Sequence, residues 1–594
     1  MTEAVKESKA QRVERLKREL NPWEAYTDIQ RFAREGWDSV PPEWFGAYFR
    51  WWGVYTQGDG VGAIGGKGGE GKAVRHLMVR IRMPNGVLDS RQLRTIADLA
   101  ERHGRGIADI TVRQNFQLHW VTLEGLPAVF EALWLRDVTT MGACGDVTRN
   151  ITGCPVAGLD ADELIDASPL VQEATELVNG NADFYNLPRK FKVSISGCRA
   201  WCAYPEVNDI GLTAVRHPVS GEVGFAVRVG GGLSTDPHLG VRLDAFVPRS
   251  RVIAVFRAIA EIFRDSEALR QNRERARLKF LFLQHGWTAE RFKAEIEARL
   301  DAPLAPGVPD EPPADAYRDH VGIHAQRQPG YCYVGVAVLR GRLTAEQMRI
   351  AAELSDRYGS GAVRTTSMQN FLIPNVRRAR AGMLARELEE AGFALDASPF
   401  RRGTVACTGS EFCKLALTET KGFARGLVES LEQRLPGFDQ QLRINVTGCP
   451  IVAASTGSPT SGSRARRSRW TAPSSTPTTS ALAAPSAATR RSLARSAFGC
   501  RPARSRGRSS ACCGRSRPSA ATTRTSGSLL RVTPTRSSAV CSPASSSTRS
   551  RVIRPPSGRR TAWTVEHGLL PGPARPHRSP MRRRGRRDHR RTPR

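Results

Sequence analysis

The sequence predicts an α+β protein built by duplication, and three observations carry that prediction. A 26-residue segment occurs twice, strand-like stretches precede both copies, and a Gly-Cys segment follows further along each. Gln92–Gln117 (QLRTIADLAERHGRGIADITVRQNFQ) and Gln347–Leu372 (QMRIAAELSDRYGSGAVRTTSMQNFL) are identical at 11 of 26 positions, without a gap, at a constant offset of 255. HLMVRIRMPNG at 76–86 and CYVGVAVLRGR at 332–342 read as strands. Each copy continues into a helix with apolar residues at roughly 3.6 spacing, a Gly turn and a second strand ending QNF. Such a strand–helix–strand pair packs about a pseudo-two-fold axis. A solenoid is excluded because its repeats are far shorter.

The second pair of segments is FKVSISGCRAWCAYPEVNDIGL at 191–212 and LRINVTGCPIVAAS at 442–455. Cys198 is followed by Cys202, a C-x3-C, whereas Cys449 is followed four residues later by Ala453. Beyond that point the second copy gives way to an Arg/Ser-rich tail.

Charge follows the same boundary. The chain of 594 residues carries 89 Lys plus Arg against 57 Asp plus Glu, a net of +32. Residues 451–594 hold 31 Arg, no Lys, Glu566 and Asp588, or +29, so residues 1–450 are left at +3. The tail has neither helical nor strand periodicity, and too little apolar surface to offset chain entropy. It is expected to be disordered. A nucleic-acid-binding arm would mix in Lys and aromatics; GC-rich codons read out of frame give mostly Arg, Ser, Pro, Ala, Thr and Gly. The stretch at 451–465 has a back-translation whose shifted frame restores the DIGL of the first copy, so the tail reads as a frameshift product.

No apolar run reaches the roughly 18–20 residues of a membrane span. The start, MTEAVKESKAQRVERLKREL, has no apolar signal region, which predicts a cytoplasmic chain. Eight of 12 cysteines precede the tail, and a disulfide framework is not expected there. Cys407 and Cys413 form a C-x5-C, followed at a distance by Cys449. Completed by a C-x3-C, this pattern supplies the four thiolates of a cubane cluster; zinc prefers shorter spacings, and small buried hydrophobes are the third reading.

The elements RWWGVYTQ, DITVRQNFQ, NLPRKFK, VGGGLST, RARLKF, RRGTVACTGSEFCKLALTETK and NVTGCP resemble the ferredoxin-dependent nitrite/sulfite reductase family, over roughly residues 25–450. The resemblance implies duplicated ferredoxin-like half-domains plus sirohaem/[4Fe–4S]-binding α/β domains. It implies Cys407, Cys413 and Cys449 as cluster ligands, with a bridging cysteine at 453, where this sequence has Ala453. It also implies Arg80, Arg149, Lys190 and Lys192 as the basic residues that bind the small anion, with Arg113 facing the sirohaem. Gln114 and Asn115 share the motif of Arg113 and are assigned to the cofactor, although a strand-end cap is an equal reading. Strand alternation places Lys190 and Lys192 on one face. Lys yields a proton when its pKa shifts, whereas Arg binds and polarises.

The implied domains are 1–73, an N-terminal wrap with a Gly-rich loop; 74–135 and 326–398, the two ferredoxin-like half-domains; 136–325, the first sirohaem/anion domain; 399–455, the truncated second one; and 456–594, the tail. GGKGGEGKA at 65–73 lacks the hydroxyl residue of a phosphate loop and reads as a surface loop. No flavin or nicotinamide module is visible, so the resemblance implies ferredoxin as electron donor. Gln271–Phe280, with Arg273, Arg275, Arg277 and Lys279, reads equally as its docking patch, a solvated helix face or a sirohaem-carboxylate binder.

The expected activity is six-electron reduction of nitrite to ammonia. Asn150 and ACGDVTRN favour nitrite; Lys192 favours sulfite, the same-family alternative. The different-class alternatives are an inactive scaffold or an Arg-rich nucleic-acid binder. Tyr55 and Cys144 fall near the expected haem, and a buried free thiol is the expectation for Cys144.

Overall fold

The computed structural model describes residues 7–58, 73–234, 236–312 and 318–449, with the backbone of Ser480–Pro485. The Gly-rich loop, position 453 and the rest of the tail lie outside the described residues, and so do the expectations placed on them.

Each copy contributes the strands of one sheet and lends a short strand to the other. In the first copy these strands are β1 (Val54–Gly58), β2 (Ala73–Ile81), β3 (Val87–Asp89), β4 (Ile107–Ile110) and β5 (Phe116–Val121). In the second they are β10 (Gly322–Ala325), β11 (Tyr331–Val336), β12 (Arg342–Thr344), β13 (Ala362–Thr365) and β14 (Phe371–Arg377). The sheets run β1-β2-β5-β4-β12 and β10-β11-β14-β13-β3. The exchange of β3 and β12 has no signal in the sequence, because three residues show no periodicity.

The helices after the exchanged strands, Ser90–His103 and Ala345–Tyr358, begin with matching capping boxes. Asp89 and Gln92 cap one, Thr344 and Gln347 the other, each pair satisfying two backbone N–H groups reciprocally. Both helices end at a glycine, Gly104 or Gly359. They pack against each other, flanked by the ion pairs Arg94–Asp356 and Arg349–Glu101, which the offset of 255 interconverts. Leu93, Ile96 and Ala97 share one hydrophobic core with Met348, Ala351 and Ala352, so the two half-domains are parts of a single packed body.

Gly86 shows how tightly the copies meet. Its φ is +70°, and a Cβ there would lie 2.5 Å from the carbonyl oxygen of Thr365 in the other copy. Gly180 has a similar φ of +73° with nothing within 4 Å. Gly180→Ala is therefore expected to lose only the left-handed conformational term of about 1–2 kcal/mol. Gly86→Ala should lose clearly more, read as a lower urea midpoint.

The first copy continues into a four-stranded sheet of β6 (Val193–Ser196), β7 (Ile210–Arg216), β8 (Val223–Val229) and β9 (Val241–Pro248), in that order. Helices Ser168–Val178 and Val252–Arg264 contribute to its core. In the second copy β15 (Thr404–Ala406) runs parallel to β16 (Leu442–Thr447), with helix Lys421–Arg434 between them in sequence. Ser480–Pro485 (β17) pairs antiparallel with β16, a six-residue exception within a tail expected to lack structure. An open sheet edge offers unpaired N–H and C=O groups to any nearby chain.

The parallel pairings repeat. Bridges Thr148↔Phe191 and Thr152↔Ser194 in the first copy correspond to the β15–β16 pairing, where Val405 opposes Asn445. Among the described residues, no helix is long and apolar enough to cross a membrane.

Candidate functional site

A concentration of buried and half-buried positive charge lies where the first half-domain meets the β6 sheet. Phe191 organises part of it. Its ring is fully buried against Phe263, 5.1 Å between centroids, so the flanking Lys190 and Lys192 share the opposite side of the chain. The strand β6 begins at Val193, one residue later than these lysines; local extended pairing at Phe191 still gives the alternation that the sequence predicts.

Burial drives both lysine pKa values well below the ordinary range. Lys192, Arg277, Arg189 and Arg149 add to the effect on Lys190. Arg277, Arg113 and Arg149 add to it on Lys192, against the pull of Asp209. Arg113 donates to Asn208 Oδ1 at 2.8 Å and to the carbonyls of Asn150 and Val193 at 2.5 and 3.1 Å. Burial, then Arg149, brings its pKa down to about 9. The Arg149 guanidinium folds onto the Gly145 carbonyl at 2.8 and 3.1 Å. Burial opposes its charge, but Tyr55, Cys144 and Asp146 outweigh burial and hold its pKa above the ordinary value. Arg277 is paired with Asp209 at 2.7 Å.

Arg80, on β2, donates to Cys144 Sγ at 2.8 Å, with its guanidinium 6.0 Å from the Tyr55 ring centre. Tyr55 and Cys144 thus border the same cations. The structure brings Arg80, Arg113, Arg149, Lys190 and Lys192 into one electrostatic neighbourhood. Like charges this close and partly withdrawn from water are costly unless an anion compensates them.

Gln114 and Asn115 do different work. Gln114 Nε2 donates to the carbonyls of Asn85 and Thr365, and its Oε1 accepts from Gly153 N at 3.1 Å. Asn115 Oδ1 accepts from Met83 N at 3.2 Å. The second copy repeats both, with Gln369 bound to Ile110, Ala406 and their strands, and Asn370 to Val338 N. The glutamines stitch backbone across the duplication and the asparagines within each copy, which is the strand-end alternative to a cofactor contact.

One basic residue of the neighbourhood, Arg82, has no counterpart among the sequence expectations. Arg82 lies two positions after Arg80 in the same alternating segment. Burial and then Arg149 lower its pKa to about 10, and its Nε and Nη2 have no partner. Arg277 belongs to the run that reads equally as a ferredoxin patch, a solvated helix face or a sirohaem-carboxylate binder. Arg277 and Lys279 are buried, and Arg273 is paired with Asp146, so these three do not form an exposed docking face.

In the second copy, Cys407 follows β15 and Cys449 follows β16. The loop bearing Cys413 folds back over them: Leu417 N donates to Gly448 O at 2.6 Å, and Ser410 N to Thr418 O at 2.9 Å. Cys407 Sγ accepts from Gly409 N and Gly448 N, both at 3.3 Å, contacts of the kind that stabilise a metal-bound thiolate. Burial pushes the Cys413 thiol up, while Arg80 is among the groups that pull it back, placing this loop within electrostatic reach of the cation neighbourhood.

The donor set fits the expected cofactors. Sirohaem carries many carboxylates, and Arg82 Nε and Nη2, Arg113 Nε, Thr148 Oγ1 and Ser194 Oγ are buried polar atoms with no partner in the protein. Three soft sulfurs from C-x5-C and Gly-Cys suit an iron–sulfur cluster.

Comparison with known proteins agrees with this chemistry. Residues 70–134 and 324–391 match the nitrite/sulfite reductase ferredoxin-like half domain, and residues 144–304 match the nitrite and sulphite reductase 4Fe-4S domain. An assimilatory ferredoxin-dependent nitrite reductase of Haloferax mediterranei is 38% identical over 454 residues, 71% of this chain and 74% of that protein. A ferredoxin–nitrite reductase of Synechococcus elongatus is 38% identical over 449 residues, 74% of this chain and 84% of that protein. A ferredoxin sulfite reductase of Mycobacterium tuberculosis is 36% identical over 451 residues, covering 74% and 80%. The solved structure of the Mycobacterium tuberculosis NirA protein superposes with a TM-score of 0.70 at 35% identity, covering 74% of this chain and 81% of that one.

Proposed function

Because the chain belongs to the ferredoxin-dependent nitrite and sulfite reductase family, whose cofactors are sirohaem and a [4Fe–4S] cluster, we propose that its anion is nitrite, reduced by six electrons to ammonia. The observation that carries the reading is the convergence of half-buried Arg113, Lys190 and Lys192 on buried Arg149, with Asp209 already engaged by Arg277. Sirohaem and cluster, when bound, supply single electrons to the substrate.

The protein's own residues bind, orient and protonate. Arg149 is held in one orientation by backbone carbonyls and keeps its charge, so it fixes a small anion without losing a proton. Lys190 and Lys192 have the depressed pKa of groups that release a proton from Nζ as N–O bonds break. Arg113 and Arg82, with unpartnered guanidinium nitrogens, hold sirohaem carboxylates. Cys407, Cys413 and Cys449 would hold the cluster, and reduced ferredoxin is the proposed donor.

Lys192 is the feature that favours sulfite, and relatives of both names are similar to the chain. The ratio of kcat/KM for nitrite and sulfite with reduced ferredoxin decides between them. A higher value for sulfite would overturn the nitrite assignment. We further propose that Ala453 leaves the chain short of a cluster thiolate. The chain as written is expected to show weak cluster absorption and little turnover. Ala453→Cys with the downstream frame restored should raise both. Equal colour and rate in the two proteins would sink this idea.

A further inference from the structure

We propose that the first copy holds a second metal centre, a single soft divalent cation of the zinc class bound by Cys154, Cys198, Cys202 and His320. The donor atoms of Cys154, Cys202 and His320 lie within 4.8 Å of one another, and all three residues are buried. The Cys198 sulfur lies within 4.8 Å of the Cys154 sulfur, on the side facing Asp160. None of the four is more than 6% exposed.

The imidazole is the informative member. His320 Nδ1 faces the Tyr333 hydroxyl at 3.3 Å, while its Nε2 is buried without a hydrogen-bond partner. A metal-ligating histidine has this arrangement, one nitrogen oriented by an outer partner and the other free for the ion. Buried thiols alone are ordinary small hydrophobes. Apolar packing does not account for an unpartnered imidazole nitrogen among them. Nor does it account for the Asp160 carboxylate, which comes within 4.8 Å of Cys154 and Cys198. Asp160 is paired with Arg318 at 2.7 Å, which leaves it in an outer role.

Duplication supplies an independent line. Thr152 opposes Ser194 as Val405 opposes Asn445. Counting on from those pairs, Cys154 corresponds to Cys407, Asp160 to Cys413, Cys198 to Cys449 and Cys202 to Ala453. The first copy thus retains three of the four positions expected to hold the cluster in the second, substitutes Asp160 at one and adds His320.

Spacing argues for one ion. A tetrahedral ion with metal–sulfur bonds of about 2.3 Å sets its ligand atoms a little under ~4 Å apart. A cubane attaches each thiolate to a different iron and needs a wider spread. Among the described residues, the sulfurs of Cys407, Cys413 and Cys449 do not form a group within 4.8 Å, whereas the donor atoms of Cys154, Cys202 and His320 do, with Cys198 outside that group but within 4.8 Å of Cys154. Three thiolates and a divalent cation carry one net negative charge. Arg364, bound to the carbonyls of Pro155 and Ala157, stands close enough to Cys154 to oppose it. Because His320 lies in the segment leading into β10, the ion would tie the second copy to the first. This inference is independent of the choice between nitrite and sulfite.

The test is metal analysis of the full chain, purified after growth with added zinc. One zinc per chain is expected, retained in Cys407→Ser/Cys413→Ser and lost in Cys198→Ser/Cys202→Ser. Should the latter fail to fold, cobalt exchange is the second measurement: wild-type protein should give an intense tetrahedral thiolate spectrum, and His320→Gln should shift it. A folded wild-type chain without zinc, zinc unaffected by changes at Cys154, Cys198 and Cys202, iron and sulfide at this site, or a disulfide among these cysteines would each overturn the proposal.

Discussion

Replacing Arg342 with Met is expected to destabilise the chain by about 3–5 kcal/mol, the range for stripping one partner from a buried ion pair. Arg342 begins the exchanged strand β12 and holds two carboxylates at once. Its Nε and Nη2 contact Asp109 at 2.8 and 3.1 Å, and its Nη1 and Nη2 contact Glu411 at 2.8 and 2.9 Å. Lys421 reaches Asp109 at 3.3 Å from the other side. Burial alone would raise the Asp109 pKa, but Lys421 and Arg342 hold it well below the usual carboxylate range. Without Arg342, buried Asp109 keeps Lys421 and His119, and half-buried Glu411 loses both of its contacts with the guanidinium.

The pH dependence follows from the sign of that shift. A depressed carboxylate contributes stability that is present above its unfolded pKa, near 3.9, and lost as pH falls through the folded value. The difference between wild type and Arg342→Met should therefore be large at pH 7 and shrink in acid, as read from urea denaturation. Arg94→Met removes an exposed pair and should change stability by less than about 1 kcal/mol. Glu411 is two residues before Cys413, and Phe412 between them stacks on His119 at 3.8 Å. Faster alkylation of Cys413 in Arg342→Met would show that the same contacts position the cluster loop; an unchanged rate and midpoint would refute the role.

What the sequence made legible depended on how far each feature extends along the chain. The duplicated helices were readable because fourteen-residue amphipathic segments carry their caps with them, Gln92 and Gln347 included. The exchange of β3 and β12 was not, since its partners lie in the other copy and its strands are three residues long. Lys190 and Lys192 were visible as a pair because alternation is local, while Arg277 joins them through Asp209, the residue just before β7. Gln114 and Asn115 looked chemical because they adjoin Arg113; their partners are backbone atoms that no motif encodes. The C-x3-C at Cys198 could be counted, but enrolling Cys154 and His320 required the pairing of Thr152 with Ser194 and the fold of the second copy.

Lys190→Met is expected to do two opposite things, weakening anion binding about 10–100-fold while stabilising the anion-free chain. The first follows from losing a charge-assisted contact of about 1.5–3 kcal/mol. The second follows from burial, which lowers the Lys190 pKa most strongly, with Lys192 and Arg277 next. Between the depressed folded pKa and the unfolded value near 10.4, the unfolded chain binds more protons, so stability of the empty protein rises with pH across that window. Removing the lysine flattens that rise and abolishes the penalty at neutral pH. A bound anion acts in the reverse sense, drawing the lysine pKa back up, so nitrite should bind with proton uptake and more tightly as pH falls toward the folded pKa. Calorimetry of nitrite binding in two buffers of different ionisation heat measures the uptake directly. A residue that merely supports the fold would lose stability on substitution and leave the uptake unchanged, and that pair of results would remove Lys190 from the anion site.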